Sequence, residues 1–361
     1  MAGARTQASI RRDTLRIDIH THFQCLDFVK HLQGRGNLPR SVLDGGTYVI
    51  QCTAGLNIPA LSEIVDMEKK LRDMEDMKID VAALSHGLPF GPDILGGREA
   101  DEWAMRINDD LARIIDRYPG KFVGLGSIGF GDRQRSIAEV ERCVRQLGFN
   151  GFQVFSNISG TLLDSPDFRA VLSYIGKLGL PMHLHPAIPL NRLGLNAASL
   201  ILALGFPYDT SLNVLRLIQS GLFDDEPDLK LVVAHAGGVI PYLWGRIRTY
   251  GAPSRLVTDL PVLGHPIDHY LSKLYVDTVC YHAEALQCCY QVMGAKHLLY
   301  GTDHPFGRHD LAAELVDQLN CPASDREWIY HGNAERLLNL KHPAVAVAST
   351  NKVREKRGHI E

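Results

Sequence analysis

The sequence lacks the features that nucleic-acid-binding and membrane proteins usually show. Among its 361 residues, 38 Lys and Arg stand against 41 Asp and Glu, which leaves a formal net charge of −3. A near-neutral chain without a basic block is not expected to bind nucleic acid or an anionic membrane surface. No stretch approaches the roughly 18 consecutive apolar residues that a membrane-spanning helix needs, and the N-terminus has no apolar run typical of a secretory signal.

Cysteine pairs are also missing from the sequence. The seven Cys residues are an odd number and include no C-x-x-C pair, so neither a thiolate zinc cluster nor a redox pair is expected. Free thiols favour a reducing compartment, and we therefore predict a cytoplasmic protein. No G-x-G-x-x-G motif follows the first predicted strand, which weakens a dinucleotide-binding assignment.

Short apolar runs alternate with longer segments of helical periodicity along most of the chain. Eight of these runs are predicted strands: Leu15–Phe23, Asp80–Ser85, Phe122–Ile128, Gly151–Phe155, Pro181–Pro186, Leu229–Ala236, Leu274–Cys280 and Leu298–Thr302. The predicted helices are Ile58–Lys78, Glu99–Tyr118, Arg133–Leu147, Leu212–Gly221, Pro241–Tyr250, Ala283–Gly294, Arg308–Leu319 and Ser324–Leu338. This alternation predicts an α/β fold, a (β/α)8 TIM barrel rather than an open doubly wound sheet.

The chain ends and two long connections stand apart from this alternation. We predict a flexible tail at 1–13, the barrel at 14–340 and a charged tail at 341–361. The connections Gln24–Asn57 and Ala187–Tyr208 follow predicted strands one and five. Loops of this length in a barrel usually serve as active-site lids, so we expect both to be insertions on the catalytic face.

Histidine is unusually frequent, with 16 copies against 12 Tyr and 12 Phe. His20 and His22 lie two positions apart on the first predicted strand, so their side chains should point to the same side of the sheet. By the same alternation, Ile17 and Ile19 should point to the other side, toward the helices. Imidazole is the commonest metal ligand in proteins, and two imidazoles at one strand end can chelate a cation.

Three other strand ends carry residues of the same chemistry. Predicted strand five ends in His183 and His185, predicted strand six in His235, and Asp303 follows predicted strand eight. Taken singly, each is more often a buried core histidine or a helix-capping aspartate. His183 is expected to lie lower in the barrel than His185, although the two could exchange roles.

The closure of a barrel places its first and eighth strands side by side. His20, His22, His185 and Asp303 should therefore converge at the C-terminal ends of the strands, where barrel enzymes have their active sites. Three imidazoles and one carboxylate predict one divalent metal ion. Zinc is preferred, and manganese or iron would also fit.

The ordered motifs IDIHTHF, HLHP, AHAGG and GTDHPF resemble those of the amidohydrolase superfamily. They are most similar to the branch that contains 2-amino-3-carboxymuconate-6-semialdehyde, γ-resorcylate and 5-carboxyvanillate decarboxylases. The resemblance implies that His20, His22, His185 and Asp303 are the metal ligands, and that His235 acts beside the metal. It also implies a homodimer. Predicted strand four contains no Lys to bridge two metals, which favours a single ion.

By this resemblance we expect a mononuclear metal-dependent decarboxylase that acts on a small aromatic or unsaturated carboxylic acid. The alternative is a metal-dependent hydrolase of an amide, ester, lactone or C–C bond in a similar compound. A third hypothesis, an inactive barrel that serves as a binding protein, is weakened because every expected metal position carries a ligating residue. His235 and Asp303 would be the catalytic residues in either reaction, so they do not distinguish the two.

The expected carboxylate substrate also directs attention to arginine. Arg pairs with carboxylates in a bidentate manner, and Arg246 is the best-placed candidate; in relatives the matching arginine reaches a neighbouring subunit's site. Arg192 and Arg308, on other loops of the catalytic face, are weaker candidates. Phe23 and Trp244 are expected to wall an aromatic pocket, and His304 stands where relatives often carry Tyr or Trp. A surface arginine and core aromatic residues are the plainer interpretations of these positions.

Overall fold

Parallel and antiparallel strands both occur in the computed structural model, which describes residues 15–53, 55–251 and 263–340. In chain order the strands are β1 (Ile17–Phe23), β2 (Arg40–Asp44), β3 (Thr47–Thr53), β4 (Leu56–Pro59), β5 (Val81–His86), β6 (Phe122–Gly126), β7 (Gly151–Phe155), β8 (Asn157–Ile158), β9 (Thr161–Leu162), β10 (Pro181–His185), β11 (Lys230–Val233), β12 (Tyr275–Asp277) and β13 (Leu298–Leu299).

Eight of these strands form one parallel sheet in the order β1-β5-β6-β7-β10-β11-β12-β13. The backbone of β1 is also bonded to the segment that follows β13. The N–H of Ile19 donates to the carbonyl of Tyr300 (3.0 Å), and that of His22 to the carbonyl of His304 (3.1 Å). The sheet is therefore a nearly closed barrel.

Helices follow most of the barrel strands. They are α1 (Leu26–His31), α2 (Ser62–Val65), α3 (Met67–Asp76), α4 (Gly97–Arg117), α5 (Arg133–Arg145), α6 (Pro166–Lys177), α7 (Ala198–Leu200), α8 (Phe206–Gln219), α9 (Leu222–Asp225), α10 (Ala234–Gly237), α11 (Ile240–Tyr250), α12 (Ile267–Leu271), α13 (Ala283–Met293), α14 (Ala312–Asp317), α15 (Ala323–Glu327) and α16 (Asn333–Leu337). The predicted α/β barrel architecture is confirmed. Within the described ranges, no helix has both the length and the apolar character needed to cross a membrane.

The interior of the barrel corrects one prediction about the first strand. Ile17 and Ile19 pack in one buried cluster with Val81 and Ala83 of β5. The next residue on that face of β5 is Ser85, whose hydroxyl lies 3.1 Å from Nδ1 of His22. The two isoleucines therefore lie inside the barrel with the histidines, and the prediction that they face the helices is wrong. The pairing of β1 with β5 shifts register between Asp18 and Thr21, which breaks the simple alternation of sides.

The observed helices differ from the predicted ones at several places. The predicted helix Ile58–Lys78 is two helices, α2 and α3, with a break at Asp66. This side chain accepts hydrogen bonds from the N–H groups of Glu68 (2.9 Å) and Lys69 (3.3 Å), so it starts a new helix. Helix α6 has no counterpart among the predicted helices, although Ser165 followed by Pro166 is a typical helix start.

The two long connections contain secondary structure of their own. The segment after β1 holds α1 and an antiparallel sheet in the order β2-β3-β4. The segment after β10 holds α7 and a π-helix at Ile201–Gly205, after which α8 begins earlier than predicted. The predicted tails at 1–13 and 341–361 lie outside the described residues.

Five barrel strands end earlier than predicted, β6 and β10 by one or two residues and the last three strands by three residues each. Strands β11, β12 and β13 stop at Val233, Asp277 and Leu299, and the chain beyond each turns out of the sheet. Several residues in these turns have positive φ angles: His235 (56°), Ala236 (53°), Tyr281 (58°) and Asp303 (60°). Left-handed backbone of this kind cannot continue a β-strand.

Candidate metal centre

Side chains from four barrel strands converge above the C-terminal end of the barrel. One potential ligand atom from each of His20, His185, His235 and Asp303 lies within 4.8 Å of the other three. His22 joins the cluster, because its Nε2 lies 3.1 Å from Oδ1 of Asp303. The same oxygen lies 3.3 Å from Nε2 of His20. The structure thus brings together the five residues that the sequence predicted.

The charges in this cluster suit a cation. Burial lowers the pKa of His22 to about 4 and that of His185 well below its usual range, so both imidazoles are neutral and offer lone pairs. Burial would raise the pKa of Asp303, but the positive charge of His20 and a hydrogen bond from His22 hold it well below its usual range. Within the described residues, the buried Nε2 of His20 has no hydrogen-bond partner. Against the effect of burial, Asp303 and Asp277 raise the pKa of His20 to about 10, so a cation at this place would displace the proton of that imidazole. Two neutral imidazoles, an ionised carboxylate and the buried Nε2 of His20 fit a divalent metal ion.

Asp277, at the end of β12, contacts the ring nitrogen of His20 that faces away from the cluster. It is not among the predicted site residues. Its Oδ2 lies 2.6 Å from Nδ1 of His20 and accepts from the N–H of His235 (3.0 Å). Its Oδ1 accepts from the N–H of Ala236 (2.8 Å). This carboxylate directs Nε2 of His20 toward the cluster, as carboxylates commonly do behind metal-binding histidines. A polar residue at the end of predicted strand seven was the available signal.

Replacing Asp277 with Asn is expected to weaken metal binding about 10- to 100-fold, the usual loss when such a supporting group is changed. Asn cannot present an acceptor to His20 and also to two backbone N–H groups. The dissociation constant for Mn²⁺, measured by calorimetry on metal-free protein, checks this. Asp310→Asn is the control, because that side chain is 56% exposed. An unchanged affinity would contradict the assigned role of Asp277.

His183 lies below the cluster, as predicted. Its ring centroid is 4.6 Å from that of His20, and its Nε2 is 3.8 Å from Oδ2 of Asp277. His185, in contrast, is grouped with Asp303 and His235. The structure therefore places His185 at the predicted ligand position and His183 beneath it.

His304 belongs to a separate buried network. Its Nδ1 accepts a hydrogen bond from Nζ of Lys70 (2.9 Å), and its Nε2 lies 3.3 Å from Oδ2 of Asp73. The ammonium of Lys70 also donates to Oγ1 of Thr21 (2.9 Å), between the two histidines of β1. Burial lowers the pKa of Lys70 to about 7. Both ring nitrogens of His304 are thus engaged by α3 on the far side of β1.

The remaining candidates for substrate contact lie at other places. Arg246, on α11, is exposed and stacks over the ring of Tyr250 at 5.1 Å. Nε1 of Trp244 donates to Oδ1 of Asp268 (3.0 Å). Phe23 is buried in the main apolar core. The structure of one chain does not bring Arg246 and Trp244 to the histidine cluster.

Comparisons with known proteins agree with the sequence motifs. The amidohydrolase family model matches residues 17–340. A 2-amino-3-carboxymuconate-6-semialdehyde decarboxylase from Dictyostelium discoideum is 29% identical over 343 residues, covering 91% of this chain and 92% of the relative. A γ-resorcylate decarboxylase from Polaromonas sp. is 30% identical over 291 residues, covering 77% and 89%. A 2-keto-4-carboxy-3-hexenedioate hydratase from Sphingobium sp. is 27% identical over 310 residues, covering 79% and 87%.

A solved structure of 5-carboxyvanillate decarboxylase from Novosphingobium aromaticivorans, complexed with manganese and 4-hydroxy-3-methoxy-5-nitrobenzoic acid, has the same fold. It matches with a TM-score of 0.73 at 25% identity, over 92% of this chain and 100% of that chain. The family match and the relatives each cover most of the sequence. This chain belongs to the amidohydrolase family, in the branch of the 2-amino-3-carboxymuconate-6-semialdehyde and γ-resorcylate decarboxylases.

Proposed function

We propose that this protein is a metal-dependent decarboxylase that releases CO₂ from a small aromatic or unsaturated carboxylic acid. One observation carries the proposal: three imidazoles and a carboxylate converge at the C-terminal end of the barrel, in a chain whose relatives include decarboxylases. An intact donor set of this kind supports an enzyme rather than an inactive binding protein.

We assign His20, His22, His185 and Asp303 as the ligands of one divalent ion. When bound, such an ion would supply Lewis-acid chemistry and anchor the substrate carboxylate. The donor set favours zinc by ligand type, whereas manganese is the ion in the solved 5-carboxyvanillate decarboxylase. An experiment that removes the bound ion and restores activity with Zn²⁺ or Mn²⁺ decides between the two.

The two oxygens of Asp303 differ in their surroundings, which supports a role in proton transfer. Oδ1 faces the ring nitrogens of His20 and His22, whereas Oδ2 lies 3.6 Å from Nε2 of His235. Asp303 is ionised at rest, so it would first take a proton from water or from an acidic group of the substrate, and then deliver it to the carbon that bears the substrate carboxylate, where a C–H bond forms as the C–C bond breaks. The bonding electrons return to the substrate and CO₂ leaves. His235 would orient the substrate beside Asp303.

A metal-dependent hydrolase remains the second candidate, and the similarity to a hydratase keeps water-adding chemistry open. The test is to incubate the purified protein with hydroxybenzoates and carboxymuconates, and to measure CO₂ release together with product identity. Release of CO₂ in step with substrate loss is the expected result. Turnover of any of these compounds without CO₂ would replace the decarboxylase proposal with the hydrolytic one.

A cavity of about 350 Å³ on the same face of the barrel is a candidate substrate site. It is lined by the connection after β1 and by the segments that follow β5, β7 and β10, including apolar Phe90 and Ile188 and the charged Arg192. The histidine cluster itself is not part of this lining. Arg192 donates a hydrogen bond to Oγ1 of Thr53, so it joins the two long connections. We propose that these connections are lids on the catalytic face, and that the cavity accepts the body of the substrate.

Arg192 and Arg246 are therefore competing partners for the substrate carboxylate. We expect Arg192→Ala to raise KM about 10- to 100-fold, the cost of a lost hydrogen bond to a charged group. Arg246 would reach only the site of a neighbouring subunit, in the proposed homodimer. KM measured for both variants decides between them, and Arg98→Ala is the control because its side chain is 75% exposed. A KM effect in Arg246→Ala alone would favour the shared site.

Phe23, Trp244 and His304 are proposed as further contacts of the substrate. Phe23 is buried in the core, Trp244 is hydrogen-bonded to Asp268, and His304 is hydrogen-bonded to Lys70. Each side chain would have to move away from these neighbours to contact the substrate. The cytoplasmic location is proposed from the cysteine content, and all seven cysteines are free.

A further inference from the structure

Three residues with unusual backbone geometry converge on one oxygen atom, Oδ2 of Asp303. Asp303 itself, His235 and Tyr281 have φ angles of 60°, 56° and 58°. Bulky residues rarely adopt this conformation, and it persists where the surrounding structure holds it, most often at functional sites. The backbone is therefore strained at all three residues that surround Oδ2.

The ring of Tyr281 is held in a specific position beside the cluster. Its hydroxyl donates a hydrogen bond to Oδ2 of Asp303 (3.2 Å). Gly307 packs so closely on the phenol that a Cβ atom there would lie 2.0 Å from the Tyr281 hydroxyl oxygen. Only glycine at position 307 leaves room for this ring. Tyr281, in the loop after β12, therefore packs directly against the loop after β13.

The hydrogen bond from Tyr281 distinguishes the two oxygens of Asp303. Oδ1 faces Nε2 of His20 and of His22, the side assigned to the metal. Oδ2 faces the hydroxyl of Tyr281 and Nε2 of His235. A carboxylate that is free to rotate can bind an ion through either oxygen or through both, which would remove the free oxygen needed for proton transfer.

We propose that Tyr281 is a positioning residue for this reaction: its hydroxyl holds Oδ2 of Asp303 away from the metal and available to move a proton. This inference rests on the proposed function. Tyr281 acts through Asp303, and its side chain is not part of the core, since the residue is 40% exposed. Removal of the hydroxyl alone should therefore leave the fold intact.

Tyr281→Phe is expected to lower kcat about 10- to 100-fold, with KM within twofold of wild type, because the hydroxyl bonds to a charged catalytic group. The dissociation constant of the metal-free protein for Mn²⁺ should stay the same or fall, since the carboxylate gains freedom to bind through both oxygens. Tyr242→Phe is the matched control, because Tyr242 is 83% exposed on α11. It should match wild type in all three measurements.

Gly307→Ala provides a second route to the same effect. The added methyl group displaces the phenol, so kcat should fall as in Tyr281→Phe, and the double variant should be no worse than the poorer single variant. A wild-type kcat in Tyr281→Phe would overturn the proposal. So would a large loss of Mn²⁺ affinity, which would make Tyr281 a support of the metal ligands instead. If the wild-type protein hydrolyses or hydrates its substrate without CO₂ release, the decarboxylase proposal fails, and the same comparison is made on that reaction.

Discussion

Replacing Asp303 with Asn is expected to lower kcat about 10²- to 10⁴-fold, the range usually lost with a general acid or base. Asn keeps the size of the side chain and the hydrogen bond from the N–H of residue 303 to the carbonyl of His20 (2.7 Å). It cannot carry a proton or the negative charge that faces His20, His22 and His235. The rate of CO₂ release, with circular dichroism as a check on folding, measures the effect.

The loss in this variant has two sources, which a metal titration separates. Asn is a weaker ligand than a carboxylate, so the ion content is measured first and the assay is repeated with excess Mn²⁺. A rate that stays low with the ion restored assigns the loss to proton transfer. Asp310→Asn, a change in an exposed side chain after β13, should behave like wild type. Full activity of Asp303→Asn would refute the role of Asp303 as the proton carrier.

Removal of the metal ion is the second change for which we expect a near-complete loss of turnover. Without the ion, His22 and His185 are neutral and Asp303 is ionised near pH 7. Asp303 and Asp277 raise the pKa of His20 to about 10 against the effect of burial, so metal binding has to displace one proton from His20. Dialysis against a chelator should abolish CO₂ release, and one equivalent of the right ion per chain should restore it. The barrel should remain folded, because its core does not depend on the ion.

Metal content, determined by mass spectrometry, and the melting temperature are measured on the same samples. An ion that binds only the folded state stabilises it by about 2.7 kcal/mol at a free concentration of 100 Kd, so the ion that binds should raise the melting temperature. Comparison of Zn²⁺ with Mn²⁺ identifies the ion that supports catalysis. Full activity in protein that contains well below one ion per chain would exclude metal dependence, which both enzyme hypotheses require.

Local patterns in the sequence were sufficient for the barrel. All eight predicted strands are found, because parallel strands buried on both faces read as short apolar runs. The helix boundaries were less accurate where one polar side chain decides them. Asp66 divides the periodic segment Ile58–Lys78, which is predicted as one helix, by capping a second helix. The alternation of sides failed on β1, where the register shift places Ile17, Ile19 and the two histidines inside the same barrel.

The convergence of His20, His22, His185, His235 and Asp303 could be predicted because each stands at or just after a strand end. The ends of parallel strands meet in a barrel, so the strand positions alone bring these residues together. The supporting residues could not be predicted in this way. Asp277 contacts His20 across 257 residues of sequence, and Lys70 contacts His304 across 234. Neither pair has a spacing that a local pattern would reveal.

The sequence by itself determined the family, the barrel and the identity of the five converging side chains, because these depend on short motifs and on the order of strands. Only the tertiary structure decided which oxygen of Asp303 faces the other ligands and which faces Tyr281 and His235. The physical reason is that these contacts depend on left-handed turns at residues 235, 281 and 303, and on the close packing of Gly307 against Tyr281. Such turns are stabilised by neighbours from distant parts of the chain, and no local sequence preference specifies them.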